Sequence, residues 1–326
     1  LFKNNVSARG SIRSNSLKAG AKATLVQTPE SLKNSKKPPR PLSKINNEKG
    51  QKPNMTSLKG QNAFVTGGGS GIGLACARYF ATQGANVLIM GRSAEKLEAA
   101  ANAMRNDFPD VRIDTFSGDV GKEDDVQAAI EQASVGGLDI AVANAGIGGL
   151  APIMATEAQN WDDIMQTNLT GTFYTIKHAG RAMAKSGGGA ICTISSIAGV
   201  RTHRFMGPYC VSKAGIDMLV KNSADELGIA NIRVNSVCPG LVDTEIAAGL
   251  MTTEEVLKDY MECMPIARTG VVDDIANAVG FLCSPAASWI TGVVLSVDGG
   301  HHLRRGPNVE PFSRMLFGDD ITEGKI

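Results

Sequence analysis

Ala63-Phe64-Val65-Thr66-Gly67-Gly68-Gly69-Ser70-Gly71-Ile72-Gly73 passes from an apolar run into a glycine-rich turn, and an amphipathic pattern follows over residues 71–83. The spacing is T-G-x-x-x-G-x-G rather than G-x-G-x-x-G, but the physical consequence is similar. Glycines let the backbone approach a bulky anion. The helix that follows offers free N–H groups and the positive end of its dipole. A strand before and a helix after make the turn a candidate cradle for a dinucleotide pyrophosphate, built from Gly67, Gly69, Ser70, Gly71, Ile72 and Gly73.

Working outward, short apolar runs alternate with longer amphipathic stretches. The expected strands are Ala63–Thr66, Asn86–Met90, Arg112–Phe116, Leu138–Ala143, Ala190–Ser195, Arg233–Val237 and Val293–Val297. Helical patterns fall at 71–83, 93–106, 122–134, 157–185, 208–228 and 272–283. Near-continuous apolar strands separated by helices predict an α/β fold: one doubly wound, Rossmann-type domain over residues 55–300 with a seven-stranded parallel sheet. Ligands then gather at the carboxyl ends of the strands.

The 326-residue chain is 43% hydrophobic and carries a formal net charge of +1. That near-neutrality joins two unlike pieces. Residues 1–54 hold twelve Lys and Arg against two acids, whereas the remainder is acidic, net −9. An acidic body argues against nucleic acid as a partner. No run approaches the roughly 20 apolar residues of a membrane helix. The basic leader has one aromatic, Phe2, and too little apolar surface to offset its ordering entropy, so it is expected to be disordered. It reads as a mitochondrial transit peptide, as a basic tether, or as non-native sequence translated ahead of a start at Met55.

Six cysteines, at 76, 192, 210, 238, 263 and 283, form no C-x-x-C pair. Mostly apolar surroundings favour buried free thiols in a reducing, cytoplasmic setting, mitochondrial if the leader is a transit peptide. Four histidines without ligand spacing give no reason to expect a metal. The second strand ends Met90-Gly91-Arg92, where an acid for a ribose 2′-hydroxyl is expected and none stands. Arg92 suits a 2′-phosphate, so NADP(H) is preferred, with NAD(H) the alternative.

Further motifs follow in order: Asp119-Val120 after the third strand, Asn144-Ala145-Gly146 after the fourth, then Asn168, Ser196, Tyr209-x-x-x-Lys213, and Pro239-Gly240 with Val242 and Thr244. Each is common alone. As an ordered set over residues 58–300 they resemble the short-chain dehydrogenase/reductase family, in its form of about 250 residues. The resemblance implies NAD(P)-dependent interconversion of an alcohol and a ketone, by a homodimer or homotetramer. It also implies cofactor contacts from Asp119, Val120, Asn144, Ala145, Gly146, Tyr209, Lys213, Pro239, Gly240, Val242 and Thr244.

The chemistry has its own argument. Tyr209 and Lys213 stand i,i+4 and share a helix face. A phenol of pKa about 10 is a poor proton donor near neutrality, and a neighbouring ammonium and a positive nicotinamide are expected to lower it. Tyr209 is then the general acid/base. Ser196, at the end of the fifth strand, donates to the substrate oxygen. Asn168 interrupts the long helix and is expected to hold a water linking Lys213 to solvent, as in related enzymes. Cys210 reads as packing, not as a nucleophile.

Residues 245–266, with Ile246, Leu250, Met251, Tyr260, Met261, Met264 and Ile266, read either as a substrate lid or as core. Arg201, His203, Arg204 and Phe205 are candidates for the pocket mouth. The extension 301–326 is expected either to pack near a neighbouring subunit's pocket or to fray. The leading substrate class is a fairly apolar ketone or secondary alcohol, such as a steroid or alicyclic alcohol. A 3-oxoacyl thioester is the alternative, and a non-catalytic cofactor-sensing protein is the reading from a different class.

Overall fold

The computed structural model describes residues 57–325, so the leader 1–54 lies outside the described residues. Seven strands form one parallel sheet: β1 (Asn62–Thr66), β2 (Asn86–Gly91), β3 (Ile113–Ser117), β4 (Ile140–Ala143), β5 (Gly189–Ile194), β6 (Ile232–Pro239) and β7 (Val294–Val297). Their spatial order is 3-2-1-4-5-6-7. β1 pairs with both β2 and β4, so the chain's winding reverses between β1 and β4. The expected seven-stranded doubly wound fold is the observed one.

Alternation along each strand builds two cores. Ala63, Val65, Ile89, Ile140 and Val142 pack beneath α1 (Gly71–Thr82), α2 (Ala94–Asp107) and α10 (Val272–Cys283). Phe64, Leu88, Met90 and Ala141 point the other way, beneath α3 (Glu123–Ala133), α5 (Gly171–Ser186) and α7 (Gly207–Leu227). Phe64 and Phe80 are fully buried, and each ring stabilises the fold by about 2–3 kcal/mol. Ser93 caps α2 by accepting the Lys96 N–H at 3.2 Å.

The expected single helix over 157–185 is broken. α4 (Ala158–Ile164) passes through a π-helical turn, Met165–Thr170, before α5 begins. Asn168 sits in that turn, fully buried. After β5 comes the short α6 (Ile197–Val200), and after β6 come α8 (Ala248–Met251) and α9 (Glu254–Cys263). A final helix, α11 (Glu310–Glu323), packs on α9. Leu241, Val256, Tyr260, Met264 and Val309 make a third apolar cluster there. The extension is therefore not frayed, but folded onto its own chain. No helix among the described residues is long and apolar enough to cross a membrane.

α1 and α10 meet at Gly280, where an added Cβ would fall 2.1 Å from the Tyr79 ring. Gly280→Ala is expected to destabilise the domain by about 1–3 kcal/mol through overpacking. Chemical denaturation would register this as a lower midpoint with an unchanged slope.

Candidate active site

The strands' carboxyl ends open into a cavity of about 680 Å³. Its floor is set where β1 meets β4. Thr66 Oγ1 accepts the Asn144 and Ala145 N–H groups at 2.9 and 3.0 Å, and Asn144 Nδ2 donates to the Thr66 carbonyl at 2.9 Å. Asn144 thus organises the strand ends, and Ala145 and Gly146 continue the wall.

Gly67 and Gly71 adopt φ of +65° and +52°, which non-glycine residues rarely take. Together with Ser70 and Ile72 they line the cavity. Ser70 stands at the N-cap of α1 without capping it through its side chain, and the first turn carries no acid. The cradle fits a dinucleotide phosphate. Gly69 and Gly73 stand off the wall. Gly73 instead lets two backbones touch, since a Cβ there would lie 2.2 Å from the Gly67 carbonyl oxygen. Arg92, Asp119, Val120, Pro239, Gly240, Val242 and Thr244 all line the cavity. Arg92 is exposed and forms no ion pair among the described residues.

Ser196, Tyr209 and Lys213 converge at the end of β5. Ser196 caps α6, its Oγ accepting the Ala198 N–H at 3.1 Å, and its hydroxyl hydrogen is left to Tyr209 or to a ligand in the cavity. Ser195 points the opposite way and donates to the Lys213 carbonyl at 3.1 Å. Lys213 is buried, its Nζ donating to the Ile194 carbonyl at 2.8 Å. Burial pushes the ammonium down to about 8, with the charges of Cys238 and Asp217 opposing.

Tyr209 departs from expectation. Desolvation by the pocket walls pushes its phenol above the usual value, and the hydrogen bond with Ser196 only partly opposes this. The Lys213 ammonium lies 5.6 Å from the ring centroid, with one hydrogen turned to Ile194. Burial thus outweighs the hydrogen bond that favours the phenolate.

Asn168 perturbs its helix as expected, but its amide is fully engaged. Oδ1 accepts the Ile147 N–H at 2.8 Å, and Nδ2 donates to the Ile147 carbonyl at 3.0 Å and to Ser212 Oγ at 3.1 Å. Its side chain clasps the loop after β4 to α7. Sequence reasoning missed this clasp, and also Asp217, a buried carboxyl one turn beyond Lys213 that accepts from Ser236 Oγ at 3.3 Å.

Of the mouth candidates, His203 lines the cavity, whereas Arg201, Arg204 and Phe205 do not. Ile246, Leu250 and Tyr260 line it from the lid, but Met251, Met261 and Met264 pack in the third cluster. Phe312, from the extension, lines it too. The cysteines match expectation: all six are free, and only Cys210 is not buried.

A family model described as enoyl-(acyl carrier protein) reductase matches residues 67–302. The 3-oxoacyl-[acyl-carrier-protein] reductase of Chlamydia trachomatis serovar D is 38% identical over 245 residues, 74% of this chain and 98% of its own. A short-chain type dehydrogenase/reductase from Mycobacterium ulcerans superposes with a TM-score of 0.80 at 39% identity, covering 83% of this chain and 100% of its own. The chain belongs to the short-chain dehydrogenase/reductase family. It is an oxidoreductase acting on alcohol and ketone groups, in a family that uses NAD(P). A 7α-hydroxysteroid dehydrogenase complexed with NADH and 7-oxo glycochenodeoxycholic acid has a TM-score of 0.71 at 36% identity, over 76% of this chain and 96% of its own. A gluconate 5-dehydrogenase from Burkholderia cenocepacia in complex with NADP and tartrate has 0.73 at 34%, over 76% and 97%.

His203 gives a pH signature. Its Nδ1 lies 3.2 Å from the Arg201 carbonyl, an acceptor, so Nδ1 carries the hydrogen. Burial pushes the imidazole down to about 4, helped by the charges of His301 and Arg201. An unfolded histidine takes its proton near pH 6.5. Stability is thus full above about 6.5 and drains by up to about 3 kcal/mol as pH falls towards about 4. In urea melts between pH 4 and 7, His203→Phe should flatten that acid limb.

Proposed function

We propose that this protein interconverts ketones and secondary alcohols of fairly apolar, alicyclic or steroid-like compounds, with NADP(H) as the preferred cofactor. The observation that carries the reading is the meeting of Ser196, Tyr209 and Lys213 at the end of β5, facing the glycine cradle across one cavity. A bound nicotinamide supplies or accepts the hydride. Ser196, whose hydrogen is not used by its cap of α6, donates to the substrate oxygen and stabilises the charge that develops there. Tyr209 gives its proton to that oxygen in reduction and takes it back in oxidation.

Lys213, still protonated near neutrality, turns one hydrogen to Ile194 and keeps two for the cofactor's ribose. The positive charge of an oxidised cofactor would oppose the desolvation that raises the phenol of Tyr209. Asn168 acts by positioning, through Ile147 and Ser212. Apolar lining by Leu150, Met206, Leu241 and Leu250 favours an apolar substrate body. The likeness to the chlamydial 3-oxoacyl reductase supports a second reading, reduction of 3-oxoacyl thioesters. A silent cofactor sensor is disfavoured because Tyr209 and Lys213 are both in place. Buried free thiols support a cytoplasmic setting, and exposed Phe173, Val211 and Met218 on α5 and α7 support self-association as a homodimer or homotetramer.

Turnover of cyclic ketones, steroids and acyl thioesters with NADPH and NADH tests the reading. Tyr209→Phe should cut kcat by about 10²–10⁴-fold while NADPH still binds. Undiminished turnover would sink the assigned role. Arg92→Ala should raise the KM for NADPH by about tenfold and leave that for NADH nearly unchanged. Equal effects on both cofactors would count against a 2′-phosphate contact.

A further inference from the structure

Among residues after β7, Phe312 reaches the cavity. The family model ends at residue 302, so nearly all of this segment lies beyond it. Phe312 lines the cavity beside Leu250 and Tyr260. Its ring tip rests over Gly249, where an added Cβ would lie 3.7 Å from Phe312 Cζ. Val309, three residues earlier, is fully buried among Val256, Tyr260 and Met264.

The segment is fastened to both walls of the cavity. On the lid side, Arg305 grips Asp259 with two hydrogen bonds of 2.6 and 2.8 Å, and the Asn308 N–H donates to the same carboxylate. Arg304 donates to the Glu262 carbonyl at 2.7 Å. On the other side, Arg201 donates to the His302 carbonyl at 2.5 Å, and Arg204 pairs with Glu310. Glu310 is held in turn by Arg314 at 2.6 Å. Gly306 passes so close to this loop that a Cβ would meet the Thr202 carbonyl oxygen at 2.7 Å.

We propose that residues 301–323 form a strap acting in its own subunit, and that Phe312 is the specificity-determining side chain that limits the size of the ketone or alcohol admitted. The size limit rests on the dehydrogenase reading of the cavity, whereas the mechanical coupling of strap and lid does not. Because the strap holds α9 and the loop 201–206 together, α9 cannot swing outward alone. It carries the strap with it or breaks the Arg305–Asp259 pair. Both Arg204 and Arg305 are more than half exposed, so each pair is weak enough to break and reform during entry and release.

Two measurements on the full-length protein decide the matter. The first is the ratio of kcat/KM for 2-decalone to that for cyclohexanone, with NADPH, in the wild type, Phe312→Ala and Phe312→Leu. The ratio should rise by about tenfold in Phe312→Ala, mainly through KM, with Phe312→Leu between. The second is hydrogen exchange of amides 254–263, which should quicken in Arg305→Ala. A ratio unchanged within about twofold in both Phe312 variants would overturn the size limit. Unchanged exchange in Arg305→Ala would overturn the strap. If the wild type reduces no ketone or thioester at all, the dehydrogenase reading and the size limit fall, and hydrogen exchange alone decides the strap.

Discussion

The bonds between Thr66 and Asn144 are the reference point from which the rest of the site is measured. They lock the ends of β1 and β4 at the place where the winding of the sheet reverses. The glycine cradle leaves from Thr66 itself. The loop leaving β4 runs on to Ile147, which Asn168 grips through both backbone groups while also holding Ser212 on α7. One residue beyond Ser212 is Lys213, so a continuous path of hydrogen bonds connects the cofactor cradle to the catalytic helix. Loosening any one link would shift the glycine turn and Tyr209 relative to each other. Geometry of that kind is costly to lose, because hydride and proton transfer demand alignment to within a fraction of an ångström.

Burying a lysine at this junction has an electrostatic cost. Lys213 finds one carbonyl, Ile194, and the distributed influence of Asp217 and Cys238 behind it. Asp217 is itself raised by burial despite hydroxyl and thiol partners. The resulting cation is only moderately stabilised, which leaves it responsive to whatever occupies the cavity. A phenol raised by desolvation beside such a cation is a poor acid in isolation and a tunable one once further positive charge is added. Sequence spacing conveys the i,i+4 neighbours but not this balance, because desolvation depends on atoms contributed from many parts of the chain.

That contrast explains what was legible in advance. Strand positions, helix faces and the ordered polar residues at strand ends all follow from periodicity and from local chemistry, and β1 to β7 appear where the apolar runs stand. Asn168 was visible as an interruption of a helix, but its partner Ile147 lies on a loop 21 residues away, a separation no local pattern encodes. The lid methionines read in sequence either as substrate lid or as core; they join the cluster that holds Val309, a residue that reaches it only because the extension folds back. Phe312 belongs to an extension whose sequence suggests packing near a neighbouring subunit's pocket or fraying, not contact with its own chain's cavity. Long-range closure is the recurring gap.

The position of the strap after β7 has a temporal consequence. A chain emerging from the ribosome amino end first exposes all seven strands, the cradle and Tyr209 before Phe312 exists. The nucleotide half of the cleft can therefore be complete while the opposite end still lies open to water. Phe312 joins the cavity wall only with residues 301–323, and burial of Val309 joins the lid to that later segment. A chain interrupted before residue 301 would hold all seven strands and lack Phe312, an asymmetry imposed by the order of synthesis alone.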